Sequence, residues 1–304
     1  MRAHELKIVL DEAVKRWDAA GEARRLFHGR GHMFPGLEHL SVTGWPPYLQ
    51  IALHSDVDEG FVNGLLQGVV EALPGLEGVV LQRRDGRRTR SEVCVGQIPD
   101  DVLVREHDLK YWIQPKRNQN VGLFLDMGHV RADLAKSWPG KRVLNLFAYT
   151  CAFSVHAVAH GARQVVNNDM SKNALAIGAR NHESNGHDMR SVRTIPHNLF
   201  KSWWKVRQFG PYDIVIVDPP TNQRGSFVAE KSYGQVLKRL PDMMNEGGLI
   251  VASLNSPFLG TDFLENQMAR WVPTARKVLR YPAHPDFPDA YPERALKVIK
   301  YRLP

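Results

Sequence analysis

Ile214-Val215-Ile216-Val217-Asp218-Pro219-Pro220-Thr221 is the stretch on which the fold of this chain turns. Apolar β-formers run straight into an acid and a pair of prolines. Such a run reads as a strand buried on both faces of a parallel sheet. Neither proline can donate a ladder hydrogen bond, so pairing stops and the chain turns out at the strand's carboxyl end. In open α/β sheets that edge is where ligands bind. The corner offers fixed backbone carbonyls and one carboxylate to whatever lies above the sheet. A plain proline-rich turn is the competing account, and the neighbouring sequence weighs against it.

Around this stretch the pattern alternates from residue 141 onward. RVLNLFA, QVVNND, RTIPHN, DIVIVDPP and GGLIVASLN read as strands, with helical segments over 152–160, 172–185 and 229–245. That alternation predicts a doubly wound parallel sheet. KVLRYP and KVIKYRLP add two strands, and the short Pro- and Asp-rich loop between them favours a reversed final pair. Seven strands with an antiparallel end are expected in all.

Upstream, residues 3–26 read as a helix with Leu6, Leu10, Val14 and Trp17 on one face. LSVTG and YLQIALH flank the turn residues Trp45, Pro46 and Pro47, and residues 58–73 form an amphipathic helix. GVVLQRR and SEVCVG follow as strands. The result is a small β-β-α-β-β unit, closed by a hairpin of VLVRE and LKYWI about His107 and Asp108. The expected organisation is an N-terminal helix over 1–26, a small α+β domain with its linker hairpin over 27–113, and a larger α/β domain over 114–304.

Composition is that of a soluble globular protein, 43% hydrophobic and 24% charged. No apolar stretch is long enough to span a bilayer, and the charged start is neither signal peptide nor anchor. Two distant cysteines, Cys94 and Cys151, support no zinc spacing and no disulfide framework, so no metal is expected and a reducing cytoplasm is the simplest setting. The net charge of +8 is uneven. Residues 1–110 carry 14 Lys and Arg against 17 Asp and Glu, net −3, while the remaining 26 against 15 give +11. A polyanionic substrate is the natural inference.

Polar residues recur where these strands end. NLFAYTCAFS, Asn145 to Ser154, follows the first strand and opens a helix, where a nucleotide-type ligand meets backbone N–H groups and the positive end of a dipole. It holds no G-x-G-x-x-G, which argues against a dinucleotide. Asp169, 24 residues after Asn145, is placed to accept from both ribose hydroxyls. Asn198 ends the third strand, where its carbonyl can accept from an adenine amino group, and Asp218 ends the fourth. This set fits a ligand with an adenosine half and a charged half, such as S-adenosylmethionine.

With these motifs in order, the chain resembles the bacterial large-subunit ribosomal RNA methyltransferases of the cytosine-C5 and guanine-N7 types. MFPGLEHLSVTGWPPYLQIAL is similar to the family's leading segment and VGQIPDDVLVREHDLKYWI to its linker hairpin. QNVGLFLDMGHVR, NLFAYTCAFSVHAVAHGARQVVNNDMS, DIVIVDPPT, NEGGLIVAS and AHPDFPDAYPERALKVIKYRLP match its later motifs. The resemblance implies a class I methyltransferase sheet, a smaller N-terminal α+β domain, and S-adenosylmethionine-dependent methylation of an RNA base. It implies a cofactor pocket of Phe124, Leu125, Asp126, Asn145, Phe147, Ala148, Tyr149, Thr150, Asp169, Ser171, Asn198, Leu199 and Asp218. Cys151 stands where the family usually has glycine, Asn198 replaces an aspartate and Val121 a threonine.

The resemblance leaves two target atoms. Cytosine C5 must be activated by a cysteine thiolate. In the cytosine-type relatives that cysteine follows the fifth strand, but here the segment is ASLNSPF. Guanine N7 already carries an in-plane lone pair, so transfer needs only positioning in a dry pocket. Asp218, Pro219, Pro220 and Thr221 are the expected catalytic corner, since enzymes that methylate the nitrogen of a planar base use such a turn.

Substrate contacts are expected from Asn222 and Asn255 on the base edge, and from His129 and Arg131 beside the cofactor segment. Arg83, Arg84, Arg87 and Arg88, with Arg90 nearby, are expected on RNA phosphate. Trp203 and Trp204 are expected to pack beneath the sheet, with stacking on a base as the alternative. RNA is the expected partner and no membrane is; a homodimer is one arrangement left open. The alternatives are a catalytically weak, cofactor-binding RNA assembly factor and a small-molecule methyltransferase.

Overall fold

The computed structural model describes residues 2–84, 89–220, 222–223 and 227–304, with the backbone alone for Arg2, Asn222 and Gln223. The chain forms two compact units. One comprises residues 1–128 with 284–291, the other 129–283 with 292–304. Among the described residues no helix is long and apolar enough to cross a membrane.

In the first unit, α1 (Arg2–Arg16) precedes β1 (Arg24–His28), β2 (Leu40–Trp45) and β3 (Tyr48–Leu53). Next come α2 (Glu59–Ala72), β4 (Gly78–Arg84), β5 (Thr89–Gly96), and a hairpin of β6 (Val102–Glu106) and β7 (Leu109–Ile113). Strands β1 to β5 make one sheet in chain order. Its single parallel pair, β3 with β4, requires the crossover that α2 provides. Asp58 caps α2 by accepting the Phe61 N–H at 3.0 Å, and Phe61, Val62, Leu65 and Val69 turn into the core. His107 and Asp108 both have positive φ, 50° and 63°, as a two-residue hairpin turn demands.

The expected β-β-α-β-β set is present, extended by β1, because the helix expected over 3–26 stops at Arg16. Asp18 turns the chain there: its carboxylate accepts from Ala20 N–H at 3.0 Å and its carbonyl from Gly21 N–H at 3.0 Å. Within α1 the buried stripe centres on Val9 and Ala13, while Val14 is 48% exposed. Residues 284–291 complete this unit. Arg24 grips Asp286 through two bonds of 2.8 and 3.0 Å, and the Phe287 ring lies 4.8 Å from the Arg25 guanidinium and 5.1 Å from the His28 ring. Gly31 is a glycine of necessity, since a Cβ there would sit 1.7 Å from Pro288 O.

The second unit is entered through α3 (Gly128–Asp133). It then runs β8 (Arg142–Leu146), α4 (Ala152–Ala159), β9 (Gln164–Asn168), α5 (Lys172–Ser184), β10 (Val192–Ile195), α6 (Leu199–Arg207) and β11 (Tyr212–Val217). A two-residue pair follows, β12 (Asn222–Gln223) and β13 (Phe227–Val228), then α7 (Ala229–Leu237), β14 (Met244–Leu254), α8 (Thr261–Trp271), β15 (Arg276–Tyr281) and β16 (Lys297–Arg302). The seven-stranded sheet has the order β10-β9-β8-β11-β14-β16-β15. All pairs from β10 to β14 are parallel, and β16 runs antiparallel to both neighbours, as expected. Leu144, Leu146, Val215 and Val217 build one face of the core with Val206, Tyr233, Val236 and Leu264. The helix expected over 229–245 ends at Leu237, because Pro241 opens a 3-10 turn and Met244 is already strand.

Candidate functional site

The chain steps outward from β8 to β9 and β10, then returns to β11 on the other side of β8. The direction of winding reverses between β8 and β11, the crevice where open α/β sheets bind ligands. Strand register makes that edge level. Leu146 pairs with both Asn168 and Val217, Ile195 with Asn168, and Val217 with Ala252. The residues one step further are Phe147, Asp169, Pro196, Asp218 and, still within β14, Ser253, so four loop starts meet at one height beside Ser253.

The loop after β8 is tightly built. Phe147, Tyr149 and Cys151 have φ of 57°, 48° and 65°, a left-handed backbone that costs on the order of 1–3 kcal/mol at each non-glycine residue. Hydrogen bonds hold it there. Ala148 N–H donates to Asn168 O at 3.0 Å, Tyr149 N–H to Asp169 Oδ2 at 2.9 Å, and Cys151 N–H to Ala148 O at 2.8 Å. Asn181 on α5 donates to Thr150 O at 2.9 Å. Three of the loop's N–H groups are thus spent internally, where the sequence had offered them to a ligand. Asp169 Oδ1 accepts a second backbone bond, from Ser171 N–H at 2.8 Å, and Ser171 Oγ caps α5. A carboxylate has about four lone-pair sites, so Asp169 retains acceptor capacity for a pair of hydroxyls.

Cys151 bears out the reading of this position as one suited to glycine, through its positive φ. Its side chain, however, is directed at α5. A Cβ built on Gly178 would lie 2.4 Å from Cys151 Sγ. The thiol is fully buried, and burial pushes its pKa up, with the Asp169 charge adding to the effect. Cys94, on β5, is also shifted up by burial.

At the other motif, Ser253 Oγ donates to Asp218 Oδ1 and fixes the carboxylate across the β11–β14 pair. Buried Tyr233 donates to Ser253 O at 2.9 Å. Pro219 is buried and Pro220 exposed. Asn255, just beyond β14, is exposed; the loop that follows is held by buried Lys297, which donates to Ser256 O at 2.5 Å and Glu293 O at 2.7 Å. Glu293 accepts the N–H and hydroxyl of Thr261 at 2.7 and 2.8 Å, and these bonds with that from Arg280 pull its pKa down to about 2. Ser253, Lys297 and Glu293 are not among the residues expected from the sequence, although Glu293 and Lys297 lie in the last of the family-like motifs.

Other expected residues fall elsewhere. Asn145 is buried within β8, its amide donating to Asn167 Oδ1 at 3.0 Å. Asn198 lies beyond the end of β10, which stops before Pro196, and caps α6 by accepting Phe200 N–H at 2.9 Å. Leu199 is core, Ala148 and Thr150 are buried, and Phe147 packs on Phe227 at 5.2 Å. Arg131, expected to face substrate, is fully buried 5.5 Å from the Phe153 ring. His129 bonds Pro282 O at 2.9 Å and meets Tyr281 edge-on. Trp203 is buried as expected, but Trp204 is 65% exposed because it lies on the opposite side of the short α6. Phe124, Leu125 and Asp126 sit in the first unit, with Leu125 buried and Phe124 exposed. Arg83 is paired with Glu59 at 2.8 Å, and Arg84 donates to Gln82 Oε1 at 2.7 Å and Gln119 O at 3.1 Å. Arg87, Arg88 and Thr221 lie outside the described residues, as does the side chain of Asn222.

Sheet order, switch point and strand-end acids define a class I methyltransferase domain. Residues 24–302 match the family described as S-adenosylmethionine-dependent methyltransferase, and the chain belongs to it. An Aeromonas hydrophila protein named ribosomal RNA large subunit methyltransferase I is 36% identical over 145 residues, 47% of this chain and 36% of that protein. Its namesake from Erwinia tasmaniensis is 26% identical over 296 residues, 90% of this chain and 74% of that protein. Alignments with the first curated relatives span about a third to a half of their length. SMU.776, described as a methyltransferase and solved with SAH, superposes with a TM-score of 0.89 at 24% identity, covering 99% of this chain and 82% of its own. The complex of aTrm5 and tRNALeu gives 0.64 at 15% identity, covering 85% and 70%. At those identities the likeness is one of fold.

Proposed function

We propose that this chain methylates a base of RNA, ribosomal RNA in particular, by direct transfer with no covalent protein–RNA intermediate, and that guanine N7 is a better target than cytosine C5. The names of its relatives support the substrate class. Bound S-adenosylmethionine supplies an electrophilic methyl group. The chain's own residues have the remaining tasks. Asp169 accepts from the ribose hydroxyls with the capacity its two backbone bonds leave. The rigid loop from Phe147 to Cys151 forms the floor beside it. Asp218, held by Ser253, and the prolines after it orient a flipped or unpaired base against the methyl donor and exclude water.

One observation carries the choice of atom. Attack through C5 needs a thiolate, and no cysteine follows β14, while the Cys151 thiol is buried facing Gly178 and is held protonated. N7 requires no thiolate and no base. The test is incubation of the purified chain with isotope-labelled S-adenosylmethionine and deproteinised rRNA, then mass analysis of the nucleosides. Labelled 7-methylguanosine is the expected product. Labelled 5-methylcytidine overturns the choice of atom, and absence of label in RNA overturns the substrate.

A further inference from the structure

The first unit contains a cavity of about 430 Å³ lined by Arg30, His32, Glu38, His39, His54 and Ser55. Its wall is organised by hydrogen bonds. Arg30 donates to His54 Nδ1 at 3.1 Å, and His54 Nε2 is 3.0 Å from Ser41 Oγ. An arginine can only donate, so His54 Nδ1 is the acceptor and its proton sits on Nε2. Burial and the charges of Arg30, Arg84 and Arg25 push its pKa down to about 3, so this imidazole is neutral and positions Arg30 without neutralising it.

The surrounding positive charge is poorly matched. Among the described residues Arg25, Arg30 and Arg84 form no ion pair. Arg84 has only neutral acceptors, and Arg25 lies over Phe287 with its Nε buried and unbonded. Asp286, which attracts Arg25, is already gripped by Arg24. His28 Nδ1 and His39 Nε2 are also buried without a partner. Burial pulls the pKa of Arg25 and Arg84 down to about 10, with repulsion from neighbouring arginines adding to it and Asp126 opposing it at Arg25. Asp126 is the stronger carboxylate acting on Arg25, but it forms no ion pair with Arg25, Arg30 or Arg84, and guanidiniums held together without a paired carboxylate are an arrangement that an anion stabilises. One carboxylate, Glu38, opposes this from the lining.

We propose that this cavity binds a backbone phosphate of the RNA substrate, with Arg30 as the contacting residue and His54 as the residue that positions it. The volume exceeds that of a phosphate and admits the attached sugar. The inference rests on the RNA reading above and adds an anchor in the half of the chain whose net charge is negative.

The test measures fluorescence anisotropy of a labelled rRNA fragment against salt concentration. Arg30→Ala should weaken binding about tenfold and reduce the slope of log affinity against log salt by about 1, uniformly across sequences. Arg30→Lys should restore most of the slope, and Glu38→Gln should tighten binding. Calorimetric S-adenosylmethionine affinity should be unchanged in all three, which also reports the fold. An unchanged slope in Arg30→Ala, or unchanged binding in Glu38→Gln, overturns the site while leaving RNA methylation by the wild type intact. Inorganic phosphate that shifts the histidine NMR signals of the wild type but does not compete with RNA overturns the RNA source. Failure of the wild type to bind RNA overturns the functional reading itself.

Discussion

Cys151 and Gly178 are packed as a matched pair: the sulfur occupies the space a side chain on α5 would fill, 2.4 Å from the position of a Cβ on Gly178. A left-handed residue with a side chain is accommodated because the facing helix gives up its own. Gly178→Ala gains about 1 kcal/mol of helix propensity, but the clash with a buried thiol and with Thr150 C at 3.3 Å should outweigh it. We expect a net loss of about 1–3 kcal/mol by denaturant unfolding. Adding Cys151→Gly should recover most of that loss, giving a coupling of similar size. Additive single effects would show that the pair is not coupled.

The same substitution addresses chemistry. Cys94→Ser with Cys151→Gly should retain methyl transfer to RNA. Loss of transfer with S-adenosylmethionine binding intact, or an adduct trapped by a C5-fluorinated cytosine in the wild type, would reinstate the covalent route.

Asp169→Ala should weaken S-adenosylmethionine binding by about 1.5–3 kcal/mol, the worth of hydrogen bonds to a charged group. It also releases the Tyr149 and Ser171 N–H groups, so part of the loss is loop disorder. Asp169→Asn keeps one acceptor oxygen and should fall between. Calorimetry giving wild-type affinity for a folded Asp169→Ala protein removes this residue from the cofactor site.

Asp218→Ala should lower the single-turnover rate a hundredfold or more, the order expected for misplacing a reacting group. RNA affinity should barely change, because phosphate contacts dominate it. Ser253→Ala leaves the carboxylate in place but untethered and should have a smaller effect in the same direction. A normal rate in Asp218→Ala reduces the corner to a turn.

Stability should fall in acid. His182, buried on α5, bonds Ser154 Oγ of α4 at 3.0 Å and His187 Nδ1 at 2.9 Å. Burial, then the His187 charge, push its pKa down from 6.5 to about 3. Between those values the unfolded chain binds the proton and the folded one does not, so stability is full above 6.5 and is lost as pH drops toward 3. The slope is at most about 1.4 kcal/mol per pH unit for this group. His28 and His54 act with the same sign. His182→Gln should flatten the slope between pH 6 and 4; an unchanged slope in unfolding curves assigns the acid sensitivity elsewhere.

The sheet was legible because β-strands buried on both faces leave continuous apolar runs, and Asp218, Asp169 and the loop from Phe147 stood one step past them. Side-chain direction was not legible. Arg131 lay beside a cofactor motif in sequence, yet helix geometry turns it onto Phe153. Asn198 read as a strand end because β10 stops at Ile195, only three residues before this cap. Net charge misled in another way. A sum of −3 over 110 residues hid Arg25, Arg30 and Arg84, the last of which is distant in the chain and joins the other two only when β1 and β4 enter one sheet.

The grip of Arg24 on Asp286 sets a schedule for biosynthesis. The first unit is interrupted by more than 150 residues before 284–291 arrive to close it. At about 5–20 residues per second, a ribosome needs roughly 8–30 s to make them. Throughout that interval the nascent first unit exposes the seats of Phe287 and Asp286. The eight returning residues are the latch that completes it.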